Sequence, residues 1–547
     1  MTANRLESES FSSVDAAWLN MDTPTNLAVI TGVITFTGKV DLNRVKDTLD
    51  RRMLVHQRFR QRARPPAHAL GLPRWETDPD FDIDRHIQTL SLPDPADQAA
   101  LHQLVGEMMS QPLDPDRPLW IFYLVENYAH GSALICRLHH CIADGLALVE
   151  VLLATADLEP DAPWPELPPE PEEAEEGLLE YLFRPAVKAA RTIRHTWRMA
   201  ENLVHEGFET LIHPARLRSA ARFSKDATLA LGKLLLILPD RRTGLRGKCG
   251  IAKRAVWSPP IDLEEVKRIA RLMGGTVNDI LLSALTGAFR RYLEERGEPV
   301  EGLNIRGILP VNLRPPDELD QLGNRFGLVF LSLPVGTRDP LKRLVTLKRR
   351  MNAIKDTPEA VVALGILGAI GMSPTQVEDI IISIFGMKGT AVITNVPGPR
   401  QPLYFAGQKI ETLMFWVPTP ANLGVGVSII SYSGQVVLGV ATDEGLVPDP
   451  ENILQSFYDE LDYLSKWGRP SFARRVEPSQ SSAPAPAASQ AARQALVEAA
   501  APADQETPAS GVCQALTRSG KPCKNRALPG QATCHVHRNL TSGEKLR

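Results

Sequence analysis

The order of apolar and polar positions in the first part of the chain predicts two strands followed by a helix. Residues 120–126 and 132–138 are β-rich runs around a turn-like segment, and residues 145–156 have helical character. The second strand therefore delivers His139 and His140 at its end, on the loop that leads into the helix. Side chains on such a loop are held by rigid elements and remain within reach of a substrate.

The second part of the chain has the pattern of a mixed α/β fold. Helical periodicity marks two segments, whereas four others have the pattern of strands. The helices are predicted at 261–271 and 279–296, and the strands at 327–335, 390–395, 424–431 and 435–441. Pro397-Gly398-Pro399 is predicted to end the strand at 390–395 sharply.

Changes in composition divide the chain into five segments. Two α/β halves, at residues 1–156 and 245–470, are separated by residues 157–244, where a Pro- and Glu-rich linker precedes an amphipathic stretch. Residues 471–510 are rich in Ala, Pro, Ser and Gln, which predicts a flexible, disordered tether. Residues 511–547 form a separate tail that contains cysteine and histidine.

The amphipathic stretch allows two interpretations. Basic residues recur at helical spacing on one side, and apolar residues that include Trp197 lie roughly opposite. A basic helix with such an apolar face can lie in a membrane interface, but the same face can instead cover a domain while the arginines are solvated. Both interpretations stay open. The basic positions are Arg184, Lys188, Arg191, His195 and Arg198.

Composition and net charge say little about the partners or the cellular location of the protein. The 547 residues are 43% hydrophobic and 23% charged, with a formal net charge of -3, so global electrostatics favour neither nucleic acid nor a membrane. The start of the chain lacks the apolar core of a signal peptide, and the longest apolar runs, 229–238 and 360–372, are too short to span a bilayer. A cytoplasmic location is expected, with any lipid substrate met peripherally at a membrane surface or lipid droplet.

The most informative motif is the HHxxxDG sequence that runs from His139 to Gly145. Neutral imidazole is the side chain best suited to remove a hydroxyl proton near pH 7, so His140 is the candidate general base. Asp144 is predicted to cap the following helix or to fix the loop through an ion pair. His139, the first residue of the motif, is predicted to pack against or orient the loop. The alternative is that two histidines lie beside an Asp-Gly turn by chance.

Several further segments occur in an order that is specific for one family. They are Val14-Asp15-Ala16-Ala17, Thr23-Pro24-Thr25-Asn26, Pro118-Leu119-Trp120, Thr276-Val277-Asn278-Asp279, Pro310-Val311-Asn312-Leu313-Arg314, Gly323-Asn324-Arg325-Phe326-Gly327, Thr394-Asn395-Val396-Pro397-Gly398-Pro399 and Ser431-Tyr432-Ser433-Gly434. With the HHxxxDG motif, they show that the chain resembles the bacterial wax ester synthase/diacylglycerol acyltransferases of the CoA-dependent acyltransferase superfamily. The resemblance covers about residues 7–470.

The resemblance implies an α/β fold of two chloramphenicol acetyltransferase-like halves with a central channel, which acyl-CoA and the acceptor enter from opposite sides. It implies that His140 is the catalytic histidine and Asp144 its supporting aspartate. The implied reaction is direct: the deprotonated acceptor hydroxyl attacks the thioester carbonyl and CoA leaves, without an acyl-enzyme or a catalytic cofactor. Transfer to diacylglycerol gives triacylglycerol, and transfer to a long-chain alcohol gives a wax ester.

The groups that stabilise the tetrahedral oxyanion are less well defined by the sequence. Gly145, Asn278 and Asn395 are candidates for substrate binding or for the oxyanion contact. Asn278 lies at the start of the predicted helix 279–296, where Asn commonly serves as a cap. A donor role and a capping role for Asn278 therefore both stay open.

The C-terminal tail contains a second motif. Cys513, Cys523, Cys534 and His537 have the spacing C-x9-C-x10-C-x2-H, and three thiolates with one imidazole can close a tetrahedral zinc site. The motif resembles the plant WRC type and predicts a small structural zinc module, the alternative being a disordered tail with incidental cysteines. Residues 511–547 contain four Arg, three Lys and one Glu, a net charge of +6 that would attract nucleic acid, anionic lipid or an acidic protein.

Three functions are compatible with these features. The first is an acyl-CoA-dependent acyltransferase that makes triacylglycerol or wax ester. The second is an enzyme of the same superfamily that acts on another hydroxyl or on an amine, because the shape of the channel selects the acceptor. The third is an interaction protein that uses the zinc tail and keeps the acyltransferase-like body as a scaffold. An intact His140 and Asp144 argue against the third function, since a scaffold has no need of a base.

Overall fold

The computed structural model of this chain describes residues 8–66, 71–160, 162, 237–313, 322–355, 359–370, 382 and 386–467. The predicted amphipathic stretch, tether and zinc motif lie outside these residues. The chain divides into two units, Met1–Pro470 and Ser471–Arg547, and all of the described residues belong to the first.

The first half of the chain forms strands and helices in the order that its pattern predicts around the HHxxxDG motif. The predicted strands at 120–126 and 132–138 are confirmed as β6 and β7, and the predicted helix is confirmed as α4. The elements are β1 (Ser8–Ser10), α1 (Ser13–Asn20), β2 (Val29–Phe36), α2 (Leu42–Arg52), β3 (Gln61–Arg64), β4 (Arg74–Thr77), β5 (Ile87–Leu90), α3 (Gln98–Met109), β6 (Trp120–Val125), β7 (Ala133–His139) and α4 (Gly145–Ala154), with 3-10 turns at Gln57–Arg60 and Ile83–Arg85.

The second half is mixed α/β, as predicted. The four predicted strands are confirmed as β11, β12, β15 and β16, and β12 ends at Pro397. The elements are β8 (Lys253–Trp257), β9 (Ile261–Asp262), α5 (Leu263–Leu272), α6 (Val277–Glu295), β10 (Ile305–Asn312), β11 (Phe326–Leu333), α7 (Pro340–Lys355), α8 (Glu359–Ile370), β12 (Ala391–Pro397), β13 (Tyr404–Phe405), β14 (Gln408–Trp416), β15 (Val425–Tyr432), β16 (Gln435–Asp443) and α9 (Pro450–Trp467).

The predicted helix at 261–271 begins two residues later than expected. Ile261 and Asp262 form β9, which pairs with β16, and the Asp262 side chain accepts a hydrogen bond from the Glu264 N–H at 2.9 Å. Asp262 is therefore the N-cap of α5. An Asp at this position satisfies a free N–H of the first helical turn, which sets the helix start at Leu263.

The fold contains two large sheets, and the second half of the chain contributes strands to both. The first sheet has the order β13-β14-β2-β7-β6-β5, so that two strands from the second half complete the sheet of the first. β14 pairs antiparallel with β2, with Met414 opposite Val33. The second sheet has the order β11-β10-β12-β15-β16-β8, with β9 also paired to β16, and β1, β4 and β3 form a small third sheet.

A shared hydrophobic core joins the two large sheets. One buried cluster contains Val33 and Met414 from the first sheet together with Trp257 and Ile430 from the second. Fully burying one large apolar side chain stabilises a fold by about 1.5–3 kcal/mol. The two halves are thus held together by burial of apolar surface and by the backbone hydrogen bonds between β14 and β2.

Close packing of α8 on β11 depends on one glycine. A Cβ added to Gly327 would lie 1.9 Å from the carbonyl oxygen of Ala360, a distance that no side chain tolerates. α8 also packs against α1. The start of β11 therefore lies close to the N-terminal helix, although the two segments are far apart in sequence.

Among the described helices, no single one is both long and apolar enough to cross a membrane. α5 and α6 meet these criteria only together, and a bend of 93° separates them. Most of α6 is buried inside the protein.

Candidate active site

The HHxxxDG loop connects β7 to α4, and hydrogen bonds fix both of its ends. His139 is the last residue of β7 and lies opposite Val29 of β2. Asp144 is the N-cap of α4, and its Oδ1 accepts a hydrogen bond from the Ala147 N–H at 3.0 Å. A carboxylate at this position satisfies a free N–H and also faces the positive end of the helix dipole. The predicted capping role of Asp144 is confirmed.

His140 is enclosed by aromatic rings. Trp18 of α1 stacks on its imidazole, with ring centroids 3.9 Å apart and an angle of 18° between the planes, and the Phe326 ring lies 5.5 Å away. The backbone N–H of His140 donates to the carbonyl of Ala28 at 2.7 Å. The residue is 3% exposed, and within the described part of the chain its Nδ1 is buried without a hydrogen-bond partner.

This enclosure favours the neutral form of the ring. Burial lowers the pKa of His140 to about 3, because the imidazolium would lose its hydration. The imidazole is therefore uncharged near pH 7. A neutral ring is the form that can accept a proton from a hydroxyl group.

His139 has a polar neighbour at each of its ring nitrogens. Its Nδ1 accepts a hydrogen bond from the Cys141 N–H at 3.2 Å, and its Nε2 lies 3.6 Å from Oδ2 of Asp22. The other oxygen of Asp22 accepts from the Ala28 N–H at 2.7 Å. Because Ala28 in turn binds the backbone of His140, these contacts support the predicted orienting role of His139.

A segment from the second half of the chain fixes Asp144. The Asp144 N–H donates to the carbonyl of Gly323 at 3.2 Å, and Oδ2 of Asp144 accepts from the Arg325 N–H at 3.0 Å. The Asp144 carboxylate therefore serves two functions: one oxygen caps α4 and the other binds the opposite half. This bond to the opposite half was not predicted.

Asn324, which lies between Gly323 and Arg325, binds the backbone of His140. Its Nδ2 donates to the backbone carbonyl of His140 and to Oδ1 of Asp15, both at 2.8 Å. Burial raises the pKa of Asp15, while the hydrogen bonds from Asn324 and Ser12 and the charge of Arg58 act in the opposite direction. One buried amide thus connects α1, the HHxxxDG loop and the start of β11.

Sequence analysis did not assign roles to Trp18, Asp15 or Asn324. Asp15 and Asn324 fall within segments that supported the family resemblance, but their partners lie more than a hundred residues away. One local feature could have indicated a role for Asp15 and Trp18. Asp15 is an acidic residue in the otherwise apolar run of α1, and it lies three residues before Trp18 on the same helical face.

The two predicted oxyanion asparagines lie next to each other. Nδ2 of Asn395 donates to Oδ1 of Asn278 at 2.7 Å, which joins β12 to the first turn of α6. The capping interpretation of Asn278 is wrong, because Thr276 is the N-cap of α6 and forms a reciprocal capping box with Asp279. The helix accordingly begins at Val277, two residues before the predicted start. A donor role for Asn278 or Asn395 stays a prediction.

Gly145 is the first residue of α4 and is partly exposed. A Cβ at this position would lie 3.4 Å from Cγ1 of Val417 and 3.9 Å from a ring carbon of Phe415. These are close to ordinary contact distances, so the surrounding protein does not by itself demand a glycine here.

The predicted zinc ligands Cys513, Cys523, Cys534 and His537 lie outside the described residues. In the part of the chain that the structure describes, no group of three or more His, Cys, Asp or Glu side chains is arranged to hold a metal ion.

Comparison with family models matches most of the chain. Residues 11–281 match the wax ester synthase/diacylglycerol acyltransferase catalytic domain, and residues 322–465 match the WS/DGAT C-terminal domain. A Mycobacterium tuberculosis (strain ATCC 25618 / H37Rv) protein named "Probable diacyglycerol O-acyltransferase tgs1" is 26% identical over 419 residues, 76% of this chain and 86% of the relative. A second protein of that strain, with a name of the same class, is 30% identical over 444 residues, 78% of this chain and 85% of the relative.

Solved structures share the fold. The wax ester synthase/diacylglycerol acyltransferase from Marinobacter aquaeolei VT8 superposes with a TM-score of 0.59 at 20% identity, over 84% of this chain and 99% of that protein. The starter condensation domain of rhizomide synthetase, solved in complex with C8-CoA and Leu-SNAC, superposes with a TM-score of 0.50 at 14% identity, over 84% of this chain and 94% of that domain.

Proposed function

Because the chain belongs to the wax ester synthase/diacylglycerol acyltransferase family and is an acyltransferase, we propose that His140 is the general base of its acyl-CoA-dependent reaction. The acceptor is a hydroxyl group of diacylglycerol, of a long-chain alcohol, or of both. The observation that carries this proposal is the His140 ring: it is neutral, enclosed by Trp18 and Phe326, and held on the loop between β7 and α4.

The proton transfer takes place at Nε2 of His140. Nδ1 is buried and out of reach of a substrate, so Nε2 is the nitrogen that accepts the hydroxyl proton. The acceptor oxygen attacks the thioester carbonyl, the C–O bond forms, and the tetrahedral intermediate then loses CoA as its C–S bond breaks. The imidazolium returns the proton to the thiolate sulfur, and no acyl-enzyme forms. A general base of this kind accelerates a reaction by ~10²- to 10⁴-fold, so positioning and oxyanion stabilisation must supply the rest.

The oxyanion contact is assigned to Gly145, Asn278 and Asn395 as candidates. The hydrogen bond between Asn395 and Asn278 leaves the Asn278 amide nitrogen available as a donor from the first turn of α6. The Gly145 N–H belongs to the first turn of α4, where backbone donors have no helical partner. Both groups are suited to a developing negative charge.

The proposed acceptors are lipids, and this agrees with the names of the relatives, which are diacylglycerol O-acyltransferases. An enzyme that uses such substrates meets them at a surface. We therefore include in the proposal a peripheral association with the inner face of the plasma membrane or with lipid droplets.

The C-terminal tail is proposed to bind a structural zinc ion through Cys513, Cys523, Cys534 and His537. Support comes from the ligand set and its spacing. The tail would act in localisation or partner binding, because the family match ends at residue 465 and does not include it.

The deciding experiment measures CoA release from palmitoyl-CoA by purified protein with dioleoylglycerol, with hexadecanol, or without an acceptor. We expect release that depends on an acceptor and that falls by ~10²-fold or more in His140→Ala. His130→Ala, which changes an exposed histidine between β6 and β7, is the matched control and should retain full activity.

Two outcomes would contradict the proposal. Equal rates in His140→Ala and the unaltered protein would remove His140 from the role of base. Folded protein that releases CoA with neither lipid would exclude both acceptors and would direct the search to other hydroxyl or amine acceptors.

A further inference from the structure

The loop that carries His140 is fixed by a buried amide from the other half of the chain. Asn324 has two N–H donors, and both are used: one binds the His140 carbonyl and the other binds Asp15, each at 2.8 Å. Asn324 and Asp15 are each 6% exposed. Hydrogen bonds in such surroundings are shielded from water and hold their geometry firmly.

The orientation of the Asn324 amide is determined by its partners. Its Nδ2 faces a carbonyl and a carboxylate, which are both acceptors, so the reverse orientation would place an oxygen against two oxygens. The Asn324 Oδ1 is buried and has no hydrogen-bond partner in the described part of the chain. Since a buried acceptor without a partner lowers stability, the two bonds of Nδ2 are what hold this side chain in place.

The same helix that supplies Asp15 also supplies the ring that stacks on the base. Asp15 and Trp18 are three residues apart on α1 and so lie on one face of the helix. Asp15 is fixed further by Ser12, and Arg58 provides a nearby positive charge. The position of the His140 backbone and the position of its ring therefore depend on one helix.

We infer that Asn324 and Asp15 are positioning residues for His140: together they hold the main chain at the base, so that contact between the two halves sets the direction of its ring. This inference rests on the proposed role of His140. Neither residue takes part in proton transfer. Their effect is on geometry, and a displacement of about 1 Å near a reacting group can cost ~10²-fold in rate.

Asn324→Asp tests the inference with almost no change of shape. The substitution replaces the donor by an acceptor that faces the His140 carbonyl and Asp15. We expect kcat to fall by about 10- to 100-fold, while the KM for acyl-CoA changes by less than about threefold. Asn304→Ala is the control, because Asn304 is an exposed asparagine of the same half whose side chain donates to the Gly302 carbonyl and accepts from Arg350. It should keep wild-type values.

A double substitution separates positioning from simple stabilisation. In Asp15→Asn/Asn324→Asp, a donor and an acceptor again face each other between positions 15 and 324, but the His140 carbonyl still lacks its donor. We expect the Tm to recover toward the wild-type value while kcat stays low. Recovery of both would show that the pair only stabilises the fold, and the inference would be wrong.

A readout that does not need turnover separates this inference from the proposed function. The NMR signals of the His140 imidazole, identified by their loss in His140→Ala, should shift in Asn324→Asp and in the double variant but not in Asn304→Ala. Shifted signals in a protein without acyl transfer would leave the positioning intact and reject the proposed function. Unshifted signals together with normal kcat in Asn324→Asp would reject the positioning alone.

Discussion

The His140 ring lies between Trp18 and Phe326, and this enclosure decides which protonation state the folded protein keeps. In the unfolded chain a histidine titrates near pH 6.5, whereas burial lowers the pKa of His140 to about 3 in the fold. As the pH falls, the unfolded state therefore takes up the proton first. The contribution of this group to stability is lost progressively as the pH falls from about 6.5 toward 3, and the His140 ring in the folded protein remains neutral over most of this range.

This shift predicts an activity profile without the usual acid limb of a histidine base. Between about pH 7 and 5.5, kcat/KM of the unaltered protein should stay nearly constant. In Trp18→Leu the ring gains hydration, its pKa rises, and an acid limb should enter this window. The measurement is kcat/KM against pH over this window.

The matched control for this profile is Trp257→Leu. Trp257 is also a buried tryptophan, but it lies in the core between the two sheets. It should lose stability and keep the flat profile. An acid limb in both variants would mean that general loosening, and not the stacking on His140, controls the titration.

Gly145 offers a second test at the level of one residue. Because a Cβ there would meet only Val417 and Phe415 at 3.4 and 3.9 Å, Gly145→Ala should not lower the Tm, and alanine is the better helix former by about 1 kcal/mol. If substrate approaches the start of α4, the added methyl group should reduce kcat/KM by about tenfold or more, since it obstructs the reacting groups. The Tm and the kinetic constants are measured on the same samples.

Gly250→Ala controls for the change of residue type. The nearest atom to a Cβ at Gly250 is an Asp443 oxygen at 4.0 Å, so this variant should match the unaltered protein in both measurements. Wild-type kinetics in Gly145→Ala would remove Gly145 from the candidate substrate-binding residues.

The sequence predicted the HHxxxDG loop of this site, but it did not predict the residues that hold the loop in place. The proposed base and the aspartate that caps α4 are four residues apart, so one short motif contains both His140 and Asp144. Asn324 acts on the same loop from far along the chain. Local sequence patterns do not show which distant residues meet in the fold, so only the structure reveals this contact.

At the level of elements, the strands with regular alternation were predicted. β14, the strand of the second half that pairs with β2 in the first sheet, was not. β15 and β16 are regular and were found at nearly their observed bounds. β14 contains a register irregularity between Ile410 and Thr412, which interrupts the two-residue alternation on which strand prediction depends. Its pairing with β2 is also a long-range contact that local periodicity cannot specify.

The contact between β11 and α8 predicts a large stability effect from one methyl group. In Gly327→Ala the new Cβ would overlap the Ala360 carbonyl, so α8 or the start of β11 must shift. Such overpacking typically costs about 1–3 kcal/mol. Urea denaturation should show a lower midpoint with an unchanged m value.

Gly32→Ala is the matched strand control for this experiment. A Cβ at Gly32 of β2 would lie 3.7–3.8 Å from its neighbours, which is ordinary contact. Its midpoint should remain near the wild-type value. An unshifted midpoint in Gly327→Ala would show that α8 yields without cost and does not fix the start of β11.

For the whole molecule, the active-site loop cannot be assigned to one half of the chain. The first half supplies His140 and Trp18, and the second supplies Asn324 and the strand β14 that completes the first sheet. Elements of the two halves are therefore combined in the fold around this loop. The two halves are expected to unfold together, because each lacks part of its sheet or site without the other.

The proposed zinc site of the C-terminal tail can be tested separately from catalysis. The matched family region ends at residue 465, and the four proposed ligands begin at Cys513. The full-length protein should therefore contain about one zinc ion per chain, and a chain ending at Arg475 should contain none. Because His140 and its support lie within the first 470 residues, both proteins should have the same kcat with detergent-dispersed dioleoylglycerol.

Metal analysis after dialysis measures the first quantity, and CoA release measures the second. Cys523→Ser should lose the zinc, whereas Cys249→Ser, which changes a buried cysteine outside the tail, should retain it. Equal zinc content in the full-length and shortened chains would contradict the assignment of the ligands. A kcat that falls with removal of the tail or its zinc would contradict their separation from catalysis.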